Sequence, residues 1–135
     1  MIAAGAENLR YPAAEGEHWI DLDLTNNRLR AYSGADLVYD MDMLDGAPGM
    51  PTVTGQFKVY LKYPKQTMTL TGVTPNVPWV SYFTGNYAIH GAPWISQFGA
   101  GAPGGSHGCI NLEPYHDAKL IYDFAPIGTV VVSHY

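Results

Sequence analysis

Apolar and polar positions alternate along most of this chain with a period of two, which marks strands lying half-buried against a core. From Trp19 to Leu24 the apolar Ile20, Leu22 and Leu24 alternate with Asp21 and Asp23. Asn26-Asn27 tolerates the positive φ of a tight hairpin, and Leu29–Tyr32 returns as its partner. Ser33-Gly34-Ala35-Asp36 turns the chain into a strand over 37–44, the 45–51 stretch is a Gly/Pro loop, and 55–62 is a further strand. Strands are also expected over 67–70, 79–83 and 87–90, with Thr84-Gly85-Asn86 turning between the last two. The 91–105 stretch holds five Gly and two Pro and is a long loop, a length usually found where loops carry function. Pro114 suits the first turn of a helix, and the spacing of Ala118, Leu120, Tyr122 and Phe124 fits one ending before Pro126. A β-branched strand over 129–133 closes the chain. The expected class is mainly β, a single sandwich with one short helix after the Gly-rich loop. Residues 1–16 form an Ala/Gly-rich, flexible leader, and 17–135 form the domain.

Composition narrows the function. A chain of 135 residues suits one domain. Its net charge of −5, with no clustered Lys or Arg, argues against nucleic acid as a partner. No apolar run approaches the roughly 20 residues that span a bilayer, and the N-terminus lacks the cationic, apolar pattern of a signal peptide. The one cysteine excludes an internal disulfide.

That cysteine is the candidate for chemistry. A single Cys is most often a small buried hydrophobe. Cys109, however, stands two residues after His107 at the end of a glycine-rich loop, where core packing gains little. A thiol reacts as thiolate, which calls for a base, a cation or oriented amides. Gly104, Gly105 and Gly108 let backbone amides approach a reacting carbonyl, as an oxyanion hole requires.

The run Ser106-His107-Gly108-Cys109-Ile110-Asn111 resembles the signature of the L,D-transpeptidase (YkuD-type) catalytic domain. His90-Gly91-Ala92-Pro93-Trp94, whose His90 is separated from Ser106 by the fifteen residues 91–105, is similar to that family's second motif. Pro51-Thr52-Val53-Thr54-Gly55-Gln56-Phe57 resembles its strand entry, and 20–32 its first hairpin, so the resemblance spans about 18–133.

The resemblance implies an enzyme that attacks peptidoglycan stem peptides through Cys109, cleaves the L,D bond of a tetrapeptide donor and passes the acyl group to an amine of a second stem. Water as acceptor would give a carboxypeptidase. It implies His90 as base, the Gly91 carbonyl as its orienting group, and the amides of His107, Gly108 and Cys109 as oxyanion donors. His107 would shape the site. Ser106 and Asn111 would hold the loop beside the substrate, and Trp94 and Tyr82 would wall the groove. No cofactor is implied, β-lactams of the carbapenem class are expected covalent inhibitors, and the expected location is the cell envelope, with the targeting segment absent from this chain.

Two details depart from the family pattern or test it. Glu113 replaces the better N-cap often found before Pro114, which predicts a less well capped helix. Ser occurs beside Gly at the position of Gly91, which predicts that Gly91→Ser folds and stays active. Rival readings are a zinc site built from His90, His107, Cys109 and His116, a non-enzymatic wall-binding module, and a papain-like hydrolase. The zinc site lacks any Cys-x-x-Cys pair, and the papain order of Cys before His is reversed here.

Overall fold

The computed structural model describes residues 1–69, 73–102 and 108–135. Among these residues nine strands, β1 (His18–Asp23), β2 (Arg28–Ser33), β3 (Asp36–Asp42), β4 (Gly55–Lys58), β5 (Leu61–Met68), β6 (Thr74–Thr84), β7 (Tyr87–Gly91), β8 (Ile110–Leu112) and β9 (Val130–His134), are joined by one α-helix, α1 (Asp117–Phe124). They form two sheets, one in the order β3-β2-β1-β9-β4 and the other β5-β6-β7-β8. The mainly β sandwich with a single helix is the class expected from the alternation.

The main core lies between these sheets. Ile20, Leu22 and Leu29 from the first sheet meet Phe83, Ile89, Ile110 and Leu112 from the second, and Ala118, Ile121 and Phe124 of α1 close the same cluster. At roughly 25 cal/mol per Å² of apolar surface removed from water, each Leu, Ile or Phe among them contributes on the order of 2 kcal/mol.

The outer face of β1 departs from the half-buried expectation. Asp21 and Asp23 are also buried, at 6% and 7% exposure. Polar partners make this possible: Asp23 accepts from Asn26 and Arg30, and Asp21 meets the imidazole of His134. Trp19, on the same face, packs with Tyr32, Val130, Val132 and Ala13, and its Nε1 donates to Gly34 O at 2.8 Å. Part of that covering comes from the first sixteen residues. Their regular structure is a short 3-10 turn at Ala6–Asn8 and a bridge between Ile2 and Ala14. Even so, Leu9, Tyr11 and Ala13 sit against Trp19, with the Tyr11 ring 5.7 Å from it.

The strand expected over 55–62 is instead two strands in different sheets. The break falls at Val59 and Tyr60. Val59 still pairs with the first sheet, donating to Thr129 O and accepting from Gly128 N, whereas Tyr60 N already donates to Tyr82 O of the second. The chain therefore turns a sandwich corner there, with Val59 buried in the core. β5 begins earlier than the expected 67–70 strand, and Leu70 lies outside the described residues. β6 is longer than expected and carries positive φ at Asn76 and Trp79. This irregularity resets the alternation, so that Val77 and Val80 fall on the same face as Tyr82. Among the described residues no helix is long and apolar enough to cross a membrane.

α1 starts at Asp117, three residues after Pro114, and Glu113 corrects the expectation of a poor cap. Its carboxylate accepts from the backbone amides of Tyr115, His116 and Asp117 at 2.9, 2.6 and 3.0 Å. Burial favours the neutral acid, but these amides outweigh it and hold the carboxyl below its ordinary range. The negative charge also lies at the positive end of the helix dipole.

Candidate active site

β7 and β8 run parallel, with Ile89 opposite Ile110 and His90 opposite Asn111. Continuing that register one step back sets Cys109 opposite Ala88. Alternation then sends Ile89, Ile110 and Leu112 into the core, and Ala88, His90, Cys109 and Asn111 to the other face. Tyr82 pairs with Ala88 and joins this face. His90 and Cys109 are thus diagonal neighbours on adjacent strands, a spacing of about 7–8 Å that an imidazole can span.

His90 is buried, at 3% exposure. Its Nδ1 lies 2.9 Å from Gly91 O. A carbonyl oxygen only accepts, so Nδ1 carries the proton, and in the neutral ring the lone pair falls on Nε2. Burial pushes the imidazole below its ordinary pKa, against the opposing pull of the Gly91 carbonyl. The ring therefore stays neutral near pH 7, the state in which it accepts a proton. The Trp94 ring, 55% exposed, stands 5.8 Å from that of His90.

Cys109 is 7% exposed and packs with Val77, Val80 and Ala88, and Tyr63, Met68 and Tyr82 border the cluster. Burial raises its pKa, only partly offset by the Ala88 amide. The resting thiol is protonated, and Sγ donates to Asn86 O at 3.6 Å. Tyr82 and Asn86 also line a cavity of about 410 Å³ with Gln66, Thr67, Met68 and Thr69, and the Tyr82 hydroxyl donates to Gln66 Oε1 at 2.5 Å. A larger cavity of about 550 Å³, lined by Arg28, Asp40, Asp42 and His116 among others, contains none of the expected catalytic or substrate-contacting residues that are described.

Two glycines allow approaches that no other residue could make. Gly108 has φ +119, and a Cβ there would lie 2.3 Å from Tyr87 Cε1. A Cβ on Gly91 would lie 2.8 Å from Pro114 Cα and 2.9 Å from Pro78 Cγ. This opposes the expectation that Gly91→Ser is benign, because Pro114 Cα is backbone and cannot rotate away.

Asn111, expected to hold the loop by hydrogen bonds, makes one to a segment distant in sequence. At 1% exposure it is closed off from a groove, and its Nδ2 donates to Leu44 O at 3.0 Å beside the two backbone bonds joining Leu44 and Asn111. It ties β8 to the segment after β3. Ser106 and His107 lie outside the described residues, as do Gly104 and Gly105. His116 is exposed and meets Asp117, and among the described residues no group of three or more His, Cys, Asp or Glu is arranged to hold a metal.

Asn86, Gln66, Thr52 and the two prolines around Gly91 were absent from the sequence-derived site. Asn86 acts through its carbonyl, which no side-chain pattern marks. Thr52 carried a signal, since it stands in the Pro51–Phe57 motif.

The family model of the L,D-transpeptidase catalytic domain matches residues 17–132. No curated protein matches. Among solved structures, the Ldtfm-avibactam carbamoyl enzyme is 27% identical over 93% of this chain and 51% of that one, with a TM-score of 0.81. A mutant Enterococcus faecium L,D-transpeptidase is 25% identical over 92% of this chain and 52% of that one, at a TM-score of 0.79. An L,D-transpeptidase from Mycobacterium smegmatis, 24% identical over 88% of this chain and 59% of that one, shares the fold at a TM-score of 0.78. The chain spans between 51% and 59% of the length of these solved structures. On the match across nearly its whole length, this chain belongs to the L,D-transpeptidase catalytic domain family.

Proposed function

We propose that this domain is a cysteine acyltransferase that crosslinks peptidoglycan stem peptides in the cell envelope. Cys109 Sγ attacks the carbonyl of the donor's L,D bond, and its proton passes to His90 Nε2. The carbonyl oxygen takes up the negative charge, facing the amides of the loop that ends at Cys109. Collapse of this intermediate breaks the C–N bond, and the imidazolium returns its proton to the departing amine. The amine of a second stem then attacks the thioester and gives its proton to His90. Breaking the C–S bond releases the crosslinked product, and the thiolate recovers its proton from the imidazolium. Water in place of the second amine gives a shortened stem.

The observation that carries this reading is the Nδ1 contact of His90 with Gly91 O, one diagonal step from Cys109. It leaves Nε2 as the acceptor on the cysteine's face of the sheet. Burial keeps both groups neutral at rest, so the thiol is activated as it attacks, by general-base transfer, rather than as a standing ion pair. The solved relative carbamoylated by avibactam supports a site open to β-lactam-type acylating agents.

Mass spectrometry of the protein with imipenem provides the test. A single adduct on Cys109, absent from Cys109→Ala, is expected, together with transfer of a tetrapeptide stem to an amine acceptor. A folded protein that forms no adduct and turns over no stem would refute the assignment.

A further inference from the structure

The Pro51–Phe57 motif has no part in the chemistry above, yet one of its residues reaches the catalytic loop. Thr52 is 3% exposed. Its Oγ1 accepts from Gly46 N at 3.0 Å and donates to Gly108 O at 2.8 Å, across 56 residues of sequence. These roles are unambiguous, because an amide only donates and a carbonyl only accepts. The hydroxyl proton is therefore committed to the Gly108 carbonyl.

The loop that presents Thr52 is closed tightly. A Cβ on Gly46 would lie 2.1 Å from Met50 O and 2.8 Å from Thr52 N, and Met50 N donates to Ala47 O. On its other side Gly108 lies against the Tyr87 ring, in a φ that suits glycine. The Gly108 carbonyl is thus held between a fixed hydroxyl and a fixed ring.

The described peptide bonds are all trans. In a planar trans peptide the carbonyl oxygen of one residue and the amide hydrogen of the next point in opposite directions. Fixing Gly108 C=O consequently aims the N–H of Cys109. We infer that Thr52 is a positioning residue which, through the Gly108 carbonyl, aims the Cys109 amide at the developing oxyanion. The inference rests on the acyl-transfer reading above and adds to it a residue more than fifty positions from the nucleophile.

This role is separable from activation of the thiol. Sγ meets Asn86 O and the Ala88 amide, and Nδ1 of His90 is held by Gly91 O, so none of these contacts passes through Thr52. Acylation builds negative charge on a carbonyl oxygen and depends on the aimed amide. Alkylation by iodoacetamide displaces iodide, builds no such oxyanion and needs only the nucleophile.

The experiment compares these two reactions in the same variants. Thr52→Val keeps the volume and removes the hydroxyl, and Thr52→Ser keeps the hydroxyl. Acylation by imipenem should slow by about 10- to 100-fold in Thr52→Val, below the cost of deleting an oxyanion donor outright. Alkylation of Cys109 should keep its rate and its pH profile. Thr52→Ser should restore most of the acylation rate. Unchanged acylation in Thr52→Val, equal slowing of both reactions, or failure of a folded Thr52→Ser to restore the rate would each overturn the inference. If the unsubstituted protein is alkylated but never acylated, the acyl-transfer reading fails, and this inference fails with it.

Discussion

Replacing Gly91 by alanine adds a single methyl group at a point of the site confined by backbone as well as side chain. The new carbon would stand 2.8 Å from Pro114 Cα, 2.9 Å from Pro78 Cγ and 3.1 Å from Pro114 Cβ. Two of these atoms belong to a residue anchored at the start of the α1 turn, where Glu113 binds three successive amides. Relief must come from moving the backbone at residue 91. Overpacking of this kind costs about 1–3 kcal/mol, and at this chain length each kcal/mol lowers Tm by about 3–4 °C. The displaced backbone carries the carbonyl that fixes the His90 tautomer, so the acylation rate should fall by more than the loss of stability explains. Thermal unfolding and imipenem acylation, both measured well below Tm, separate these effects. Pro78→Ala in the same chain should recover part of the stability, because it removes one of the two prolines' contacts. A Gly91→Ala protein with unchanged Tm and unchanged acylation would mean that the prolines do not confine this peptide.

The depressed pKa of His90 sets the sign of an acid effect. Below about pH 6.5 the unfolded chain binds a proton that the buried ring refuses, so stability falls on acidification. The difference in denaturation midpoint between the native protein and His90→Asn should therefore shrink from pH 7.5 to 5.5, and a constant difference would contradict this. The acylation rate should hold its plateau to below pH 6.5, since the base remains neutral there, and an inflection at or above that pH would reverse the assignment. At the alkaline end the raised thiol pKa makes the folded state lose stability above about pH 9, a loss that Cys109→Ala should remove in guanidinium titrations. Glu113→Ala should cost about 1 kcal/mol through the lost cap. Its contribution is complete above pH 4.5 and fades as pH falls through the lowered folded pKa, so the two proteins should converge in thermal melts at low pH.

Much of this was legible in the sequence because it depends on local pattern. Ile20, Leu22 and Leu24 needed only their alternation to be placed inward, and Asn27 its tolerance of φ 51 to turn the first hairpin. The Cys109 and His90 motifs carried the family. The features missed depend on what the chain meets after folding. A strand that changes sheets at Val59 has an unbroken alternation of Phe57, Val59 and Leu61 in the sequence, although Leu61 is exposed once folded. Glu113 looks like a poor cap until its long side chain is seen turning towards the amides that follow it. Gly91 looks replaceable until Pro78 and Pro114, distant in sequence, are found against the place a Cβ would take. Asn86 contributes a carbonyl, which is invisible to any reading of side chains.

The parallel pairing of the first strand with the last has a consequence for how the molecule assembles. β1 finds its neighbour β9 more than a hundred residues later, and β4 reaches the same sheet only through β9. Closing so long a loop carries an entropic cost that must be met before the contacts form, which slows folding. A chain emerging from a ribosome can make the β1–β2–β3 meander early, but it leaves one flank of β1 unpaired until Val130–His134 appears. The site follows the same order, because His90 is laid down with β7 whereas Cys109 takes its place only when β8 adds beside it in parallel. The pairing of His90 with its neighbours in β8 is therefore late in folding, and deletion of the last six residues should leave a chain that carries both His90 and Cys109 yet cannot close the sheet opposite them.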